Sequence, residues 1–177
     1  MSQKPSPRTP PAAGEGRYLT FTLGDESYGF PVLNVREIIR ICPITPVPRM
    51  PTHVKGVINL RGTVIPVLDL RAKFQLAAKS YGERTCIIVV QVAAPSGGST
   101  LMGAVVDAVE EVVQLTADDI EATPDFGGAP ETDYILGLAT IQGGVKILLN
   151  IEKIFLEDGT LSLAPLIKPE PTQPEKG

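Results

Sequence analysis

A chain of 177 residues with 43% apolar content has room for one domain or two small ones, and 5% aromatics without tryptophan makes its core aliphatic. A formal net charge of −4, with no long block of like charge, argues against nucleic acid as a general partner, because phosphate-backbone binding needs a basic surface. No apolar run reaches the roughly 18 residues that span a bilayer, so direct membrane insertion is not expected and a cytoplasmic protein is.

Residues 1–16 combine proline, serine, glycine and charge without the apolar segment of a signal peptide, and read as a disordered arm. Residues 164–177 have the same character. The two tails hold Pro5, Pro7, Pro10, Pro11, Pro165, Pro169, Pro171 and Pro174, so the body, residues 17–163, is not unusually proline-rich. Neither tail carries the aromatic or basic anchors of a docking motif, which favours solubilising arms.

The body opens with a hairpin: Tyr18 to Leu23, a turn at Gly24-Asp25-Glu26, then Ser27 to Pro31. From Val32 to Arg40 the apolar positions fit a short helix as well as an extended segment. Pro43, Pro46, Pro48 and Pro51 interrupt regular structure, and Thr52 to Lys55 can form at most a helical turn. A second hairpin follows, with an apolar run from Val57 to Leu60, a tight turn at Arg61-Gly62, and a β-branched run from Thr63 to Leu68. Gly62 supplies the positive φ of such a turn, and that places the permanent cation of Arg61 at the tip.

Arg71 to Phe74 reads as a helical turn and Ala77 to Arg84 as a loop. The run Thr85 to Val92 is unbroken in hydrophobicity, which predicts a strand covered on both faces. Leu101 to Val106 and Val109 to Val113 read as further strands, with a turn at Pro95 to Ser99 between strands. Thr116 is a candidate N-cap for a single helical turn, and 125–133 is a loop. Ile135 to Ile141 and Val145 to Leu149 form a last hairpin about Gln142-Gly143-Gly144, closed by a short helix over Asn150 to Phe155.

The chain repeats itself. Gly56 to Phe74 aligns without a gap on Gly137 to Phe155, with identities at Gly62/Gly143, Val64/Val145, Leu68/Leu149 and Phe74/Phe155. Tyr28 to Arg40 aligns in the same way on Met102 to Gln114, through Gly29/Gly103, Val32/Val106, Val35/Val109 and Glu37/Glu111. Two related β units follow, each with two hairpins and a closing helix, sharing a buried seam with a groove between them. Barrel closure would remove the exposed edges of so many short strands. The repeat also isolates an asymmetry: Gln142 stands where the first unit has Arg61. A solvated arginine is the alternative to a functional one, and Glu37 is its candidate ion-pair partner.

Chemistry is sparse. His53 is the only histidine and lies in a connector without a nucleophile motif or a second metal ligand. Cys42 and Cys86 have no CxxC spacing and read as small apolar residues in a reduced protein. Ser96-Gly97-Gly98-Ser99 lacks the Lys-Ser/Thr of a phosphate loop, and Asp118, Asp119 and Glu121 lack the spacing of a calcium loop. No enzyme is expected, no cofactor and no metal. A small-ligand barrel or enzyme would require a polar-lined pocket with clustered titratable groups, which is absent from the pattern. Binding remains.

Phe21 to Phe30, Val35-Arg36-Glu37-Ile38, the Asn59-Leu60-Arg61-Gly62 hairpin, Pro66 to Leu70, Gly103 to Asp107 and Asn150 to Lys153 together resemble the CheW family of chemotaxis coupling proteins. The resemblance spans the body. It implies a mainly β fold of two intertwined five-stranded SH3-like barrels with short helices. It also implies an adaptor that couples the cytoplasmic tips of methyl-accepting chemoreceptors to the regulatory domain of the CheA histidine kinase. By position it assigns receptor binding to Val35, Glu37, Ile38, Gly56, Arg61, Cys86, Gly103 and Val112, with Cys86 replacing the usual aliphatic, and kinase contacts to the barrel ends. An adaptor of another chemosensory system, such as one for pilus motility, is the alternative.

Overall fold

The computed structural model describes residues 15–77, 79–94, 97–121 and 134–156; the expected loop at 125–133 and the two tails, save Glu15 and Gly16, lie outside them. Along the chain come β1 (Gly16–Leu23), β2 (Glu26–Pro31), β3 (Val35–Arg40), β4 (Val54–Leu60), β5 (Thr63–Asp69), α1 (Leu70–Lys73), β6 (Cys86–Ala93) and β7 (Ser99–Val106). Then follow β8 (Ala108–Leu115), β9 (Ile120–Glu121), β10 (Ile135–Ile141), β11 (Gly144–Leu149) and α2 (Ile151–Leu156). The ambiguous stretch after Pro31 takes both forms, a 3-10 turn over Val32–Asn34 and then strand β3. Thr52 to Lys55 is not helical throughout, since β4 already begins at Val54.

Two sheets result, in the orders β8-β1-β2-β11-β10-β9 and β3-β6-β7-β5-β4. Under the sequence repeat, β3, β6, β7, β5 and β4 map onto β8, β1, β2, β11 and β10, so the two orders are one order written twice. The sequence units and the barrels do not coincide, however. Each barrel takes its middle hairpin from the other half of the chain, β1-β2 in one case and β6-β7 in the other. The exchange is joined by parallel pairings, β5 with β7 and β11 with β2, which set Val67 opposite Gly103 and Leu148 opposite Gly29. A side chain has little room at either point: a Cβ on Gly103 would lie 2.9 Å from Ile87 Cγ2, and one on Gly29 3.2 Å from Leu148 Cδ2.

The apolar residues sort into three cores by strand alternation. Ile58, Ile65, Val67, Ile87, Val89 and Val105 fill the five-stranded barrel, and Tyr18, Leu115, Ala139 and Leu148 fill the six-stranded one. The largest core lies between them and draws on both sheets, with Leu19, Phe21, Phe30, Ile88, Val90, Met102, Ile154 and Phe155 among its members. Strand β6 is covered on both faces, as its composition requires: Ile88 and Val90 face the seam, while Ile87 and Val89 face the barrel interior. Burying each such side chain contributes about 1.5–3 kcal/mol, so the seam is as much a part of the folded state as either barrel.

The repeated hairpins are alike in detail. Both begin with the same irregularity, between Val54 and Gly56 and between Ile135 and Gly137. Both turns put two residues in the left-handed region, Arg61 (φ 51°) with Gly62 (φ 91°), and Gln142 (φ 51°) with Gly143 (φ 83°). The glycine alone is not enough; a turn of this twist needs positive φ at both positions, and Arg61 is held in one. Gln142→Gly should therefore raise stability by about 0.5 kcal/mol, the relief of left-handed strain less the entropy of glycine, read as a higher urea midpoint at unchanged slope.

Candidate functional site

Strands β3 and β4 are the two edges of the five-stranded sheet, and the barrel closes where they meet. Two contacts close it. The connector after β3 pairs with β4 through Thr45 and Val57, whose backbone N–H groups each donate to the other's carbonyl at 2.9 and 2.8 Å. At the mouth, the guanidinium of Arg61 donates to both carboxylate oxygens of Glu37, at 2.7 Å to Oε1 and 2.6 Å to Oε2. The arginine side chain is 70% exposed and Glu37 30%, so the pair contributes only about 0–1 kcal/mol to stability. What it fixes is the direction of a cation held by the hairpin tip.

Gly56 and Gly103 have other work. A Cβ on Gly56 would sit 1.9 Å from the carbonyl oxygen of Thr45 and 2.9 Å from Cα of Pro46, and its φ of 140° is open to glycine. This is where the connector passes over β4. Both glycines are buried, and each lets one segment lie against another.

The remaining candidates flank the seam. In β3, Ile38 pairs with Ile88, and in β8, Val112 pairs with Leu19. Paired residues project from the same face, and Ile88 and Leu19 both belong to the core between the barrels. Ile38 and Val112 thus stand at the open rim of that core, 44% and 51% exposed. They are also repeat equivalents. Val35 and Val109, another equivalent pair, pack half-buried against the same core, as does Cys86. Burial pushes the Cys86 thiol pKa up, and a hydrogen bond involving the backbone of Val109 works the other way, which places Cys86 of one sheet against β8 of the other. A thiol with a raised pKa is a poor nucleophile. Cys86 is packing for the groove.

The eight residues divide accordingly. Val35, Ile38, Cys86 and Val112 line a groove between the barrels, Glu37 and Arg61 form a charged mouth beside it, and Gly56 and Gly103 shape the barrel. Val112 alone belongs to the six-stranded sheet. His53, in the connector, is half-buried, and desolvation, with the charge of Lys73, lowers its pKa and favours the neutral ring. Among the described residues no cluster of three or more His, Cys, Asp or Glu has the placement to hold a metal ion. No helix among them is long and apolar enough to cross a membrane.

One polar cluster was not read from the sequence. Asp107, at the crossing from β7 to β8, accepts on Oδ2 from Nη1 of Arg71 in α1 (2.6 Å) and from the backbone N–H of Gly24 between β1 and β2 (2.7 Å). Its own N–H donates to the carbonyl of Thr22 at 3.0 Å. Arg71 also donates from Nε and Nη2 to the carbonyl of Ala77. A single carboxylate thereby ties both barrels together at one end of the seam. The repeat held the signal: Asp107 aligns with Leu33 and Arg71 with Glu152, a pair that makes no such contact.

Comparison with known proteins agrees with this architecture. Residues 17–158 match the model of the CheW-like domain. The chemotaxis protein CheW of Klebsiella aerogenes is 40% identical over 137 residues, covering 77% of this chain and 80% of that protein. The protein FrzA of Myxococcus xanthus is 33% identical over 145 residues, covering 81% and 87%. The scaffolding protein TtCheW of Thermoanaerobacter tengcongensis superposes with a TM-score of 0.72 at 29% identity, over 82% of this chain and 95% of that one. With its paired SH3-like barrels, its Asn59-Leu60-Arg61-Gly62 hairpin and these relatives, the chain belongs to the CheW family of chemotaxis proteins.

Proposed function

We propose that the protein is a non-catalytic adaptor that couples methyl-accepting chemoreceptors to the CheA histidine kinase. The observation that carries this reading is the groove: exposed apolar side chains, Ile38 and Val112, at the rim of a core shared by two barrels, beside an arginine oriented by a carboxylate. Such a surface fits an amphipathic helix laid along its apolar face, with polar groups at the rim. Val35, Glu37, Ile38, Arg61, Cys86 and Val112 are assigned to the receptor side. The kinase regulatory domain is assigned to the barrel ends, away from the groove. Gly56 and Gly103 serve the receptor indirectly, by holding the strands that carry the others.

The test is retention of a receptor signalling tip and of the kinase regulatory domain by the immobilised protein, each offered separately. Retention of both is expected, and failure to bind either overturns the proposal. Arg61→Ala or Glu37→Ala should change stability by less than about 1 kcal/mol while weakening receptor-dependent kinase activation several-fold. Unchanged activation would remove the arginine from the interface. Similarity to FrzA, a relative with a different name, keeps a second reading, an adaptor of another chemosensory system. Receptors of the two systems, offered in parallel, separate the readings.

A further inference from the structure

The groove has charges at its two ends, and both are arginines. In β3, Ile39 and the following Ile41 pack into the barrel interior, so Arg40 between them projects on the seam side, where its strand partner is Cys86. In β1, Tyr18 belongs to the interior of the six-stranded barrel, so Arg17 before it projects on the seam side, where its partner is Gln114 of β8. Both are exposed, and among the described residues neither side chain makes a hydrogen bond or ion pair. Cys86 lies against Val109 at the start of β8, and Gln114 is at its far end, so the two arginines mark opposite ends of the groove.

The carboxylates of the edge strands face elsewhere. Glu37 pairs with Val89, on the barrel side of β3, and is held by Arg61. Glu111 pairs with Thr20, on the barrel side of β8, and Glu110 is engaged by Lys146 at 3.2 Å and by the hydroxyl of Ser27 at 3.0 Å. Among the described residues the groove is therefore an apolar strip capped by a cation at each end, and Glu15, two residues before Arg17, is engaged by the backbone N–H of Ala117 at 3.3 Å. From Val109 to Gln114 is five residues of strand, about 16 Å. An α-helix covers that length in about 11 residues, three turns.

We infer that the groove selects an amphipathic helix whose apolar stripe is bracketed by carboxylates about three turns apart, one for Arg40 and one for Arg17. The inference rests on the adaptor reading, and it specifies the charge pattern of the receptor helix that this chain accepts. Gln114 occupies the repeat position of Arg40, so the two banks differ in charge. The helix accordingly has a preferred direction in the groove.

The test uses the full chain and a recombinant receptor signalling tip, with binding followed by fluorescence anisotropy at low and high salt. Arg40→Glu and Arg17→Glu should each lower affinity about tenfold, the loss of one well-placed charge pair, and should flatten the salt dependence. Lys55→Glu, a reversal at an exposed position of β4 that lines a separate hollow with Asp69 and Tyr81, should leave binding within twofold. Replacing the facing acidic residue of the receptor tip with lysine should restore affinity for the Arg40→Glu protein. Binding within twofold of the unmodified protein for both groove variants, while that protein binds the tip, overturns this inference and leaves the adaptor reading standing. No binding of the tip by the unmodified protein overturns both. Melting temperature and retention of the kinase regulatory domain report whether each variant is folded.

Discussion

Gly56→Ala should cost about 3–5 kcal/mol, a large part of the roughly 5–15 kcal/mol by which a domain of this size is stable. Two terms add. The new methyl carbon meets the Thr45 carbonyl oxygen at 1.9 Å and its carbon at 2.6 Å, and backbone, unlike the end of a flexible side chain, has nowhere to go. A φ of 140° also charges alanine for a conformation that glycine adopts freely. Relief requires lifting the connector away from β4, which breaks both hydrogen bonds between Thr45 and Val57, each worth about 1 kcal/mol. The measurement is a urea titration, with a midpoint well below that of the parent. Gly103→Ala makes the control: its closest obstacle is a side-chain methyl of Ile87, so about 1–2 kcal/mol is expected. A Gly56→Ala protein as stable as its parent would return Gly56 to the list of direct contacts. Receptor binding by the destabilised variant should fall together with kinase binding, whereas Arg61→Ala should affect the receptor side alone.

Much of the fold was legible because local chemistry and tertiary structure agree. Glycine-containing turns between β-branched runs gave the hairpins their places, and the length of apolar sequence in β6 announced a strand buried on both faces. Alternation in β3 was harder to read. Its exposed positions, Arg36, Ile38 and Arg40, include an isoleucine, because Ile38 borders a groove and not simply water, and the irregularity between Val35 and Glu37 breaks the alternation at Arg36. The two-residue strand β9 has no local signal, being defined only by its pairing with Leu138 and Ala139. The exchange of middle hairpins between barrels was hidden for a different reason: it is decided by pairings between distant strands, to which hydrophobic period is blind. In the candidate site, the Arg61–Glu37 pair followed from sequence position and charge. The groove arginines did not, since the face a residue takes depends on a strand register unknown beforehand.

The seam between the barrels makes the groove, so the seam's geometry should govern recognition more than any single contact at its rim. One end of it is held by Asp107, Arg71 and the β1-β2 turn; the other end, where Leu33 and Glu152 replace them, has the side chain of Leu33 94% exposed and a long contact of 3.4 Å from the Ala93 N–H to Glu152. Among the described residues the barrels are thus pinned asymmetrically. Asp107 also begins the crossing into β8, the strand that carries Val109 and Val112, so its position determines where one bank of the groove starts.

Asp107→Ala should accordingly have two separable effects. The side chains of Arg71 and Asp107 are 14% and 16% exposed, so removing the acid leaves a largely buried guanidinium short of its counter-charge and the Gly24 N–H without its acceptor. Breaking a fully buried pair from one side costs about 3–5 kcal/mol, and partial solvent access brings the expectation here to about 2–4 kcal/mol. Asp107→Asn keeps an oxygen for Gly24 and loses the charge, so it should cost about half as much. The double variant Asp107→Ala with Arg71→Met should recover part of the loss, because the stranded cation is gone; a coupling energy above about 1 kcal/mol in the four-protein cycle identifies a direct interaction. The second effect is on recognition. In Asp107→Asn, still folded at room temperature, affinity for the receptor tip should fall several-fold while the kinase regulatory domain, assigned to single barrel ends, binds as before. Spin labels placed on β4 and β10 should report a broadened distance distribution between the barrels in the same variant. Equal loss of both partners with an unchanged distance distribution would make Asp107 a residue of general stability only, and would detach the groove from the pinned end of the seam.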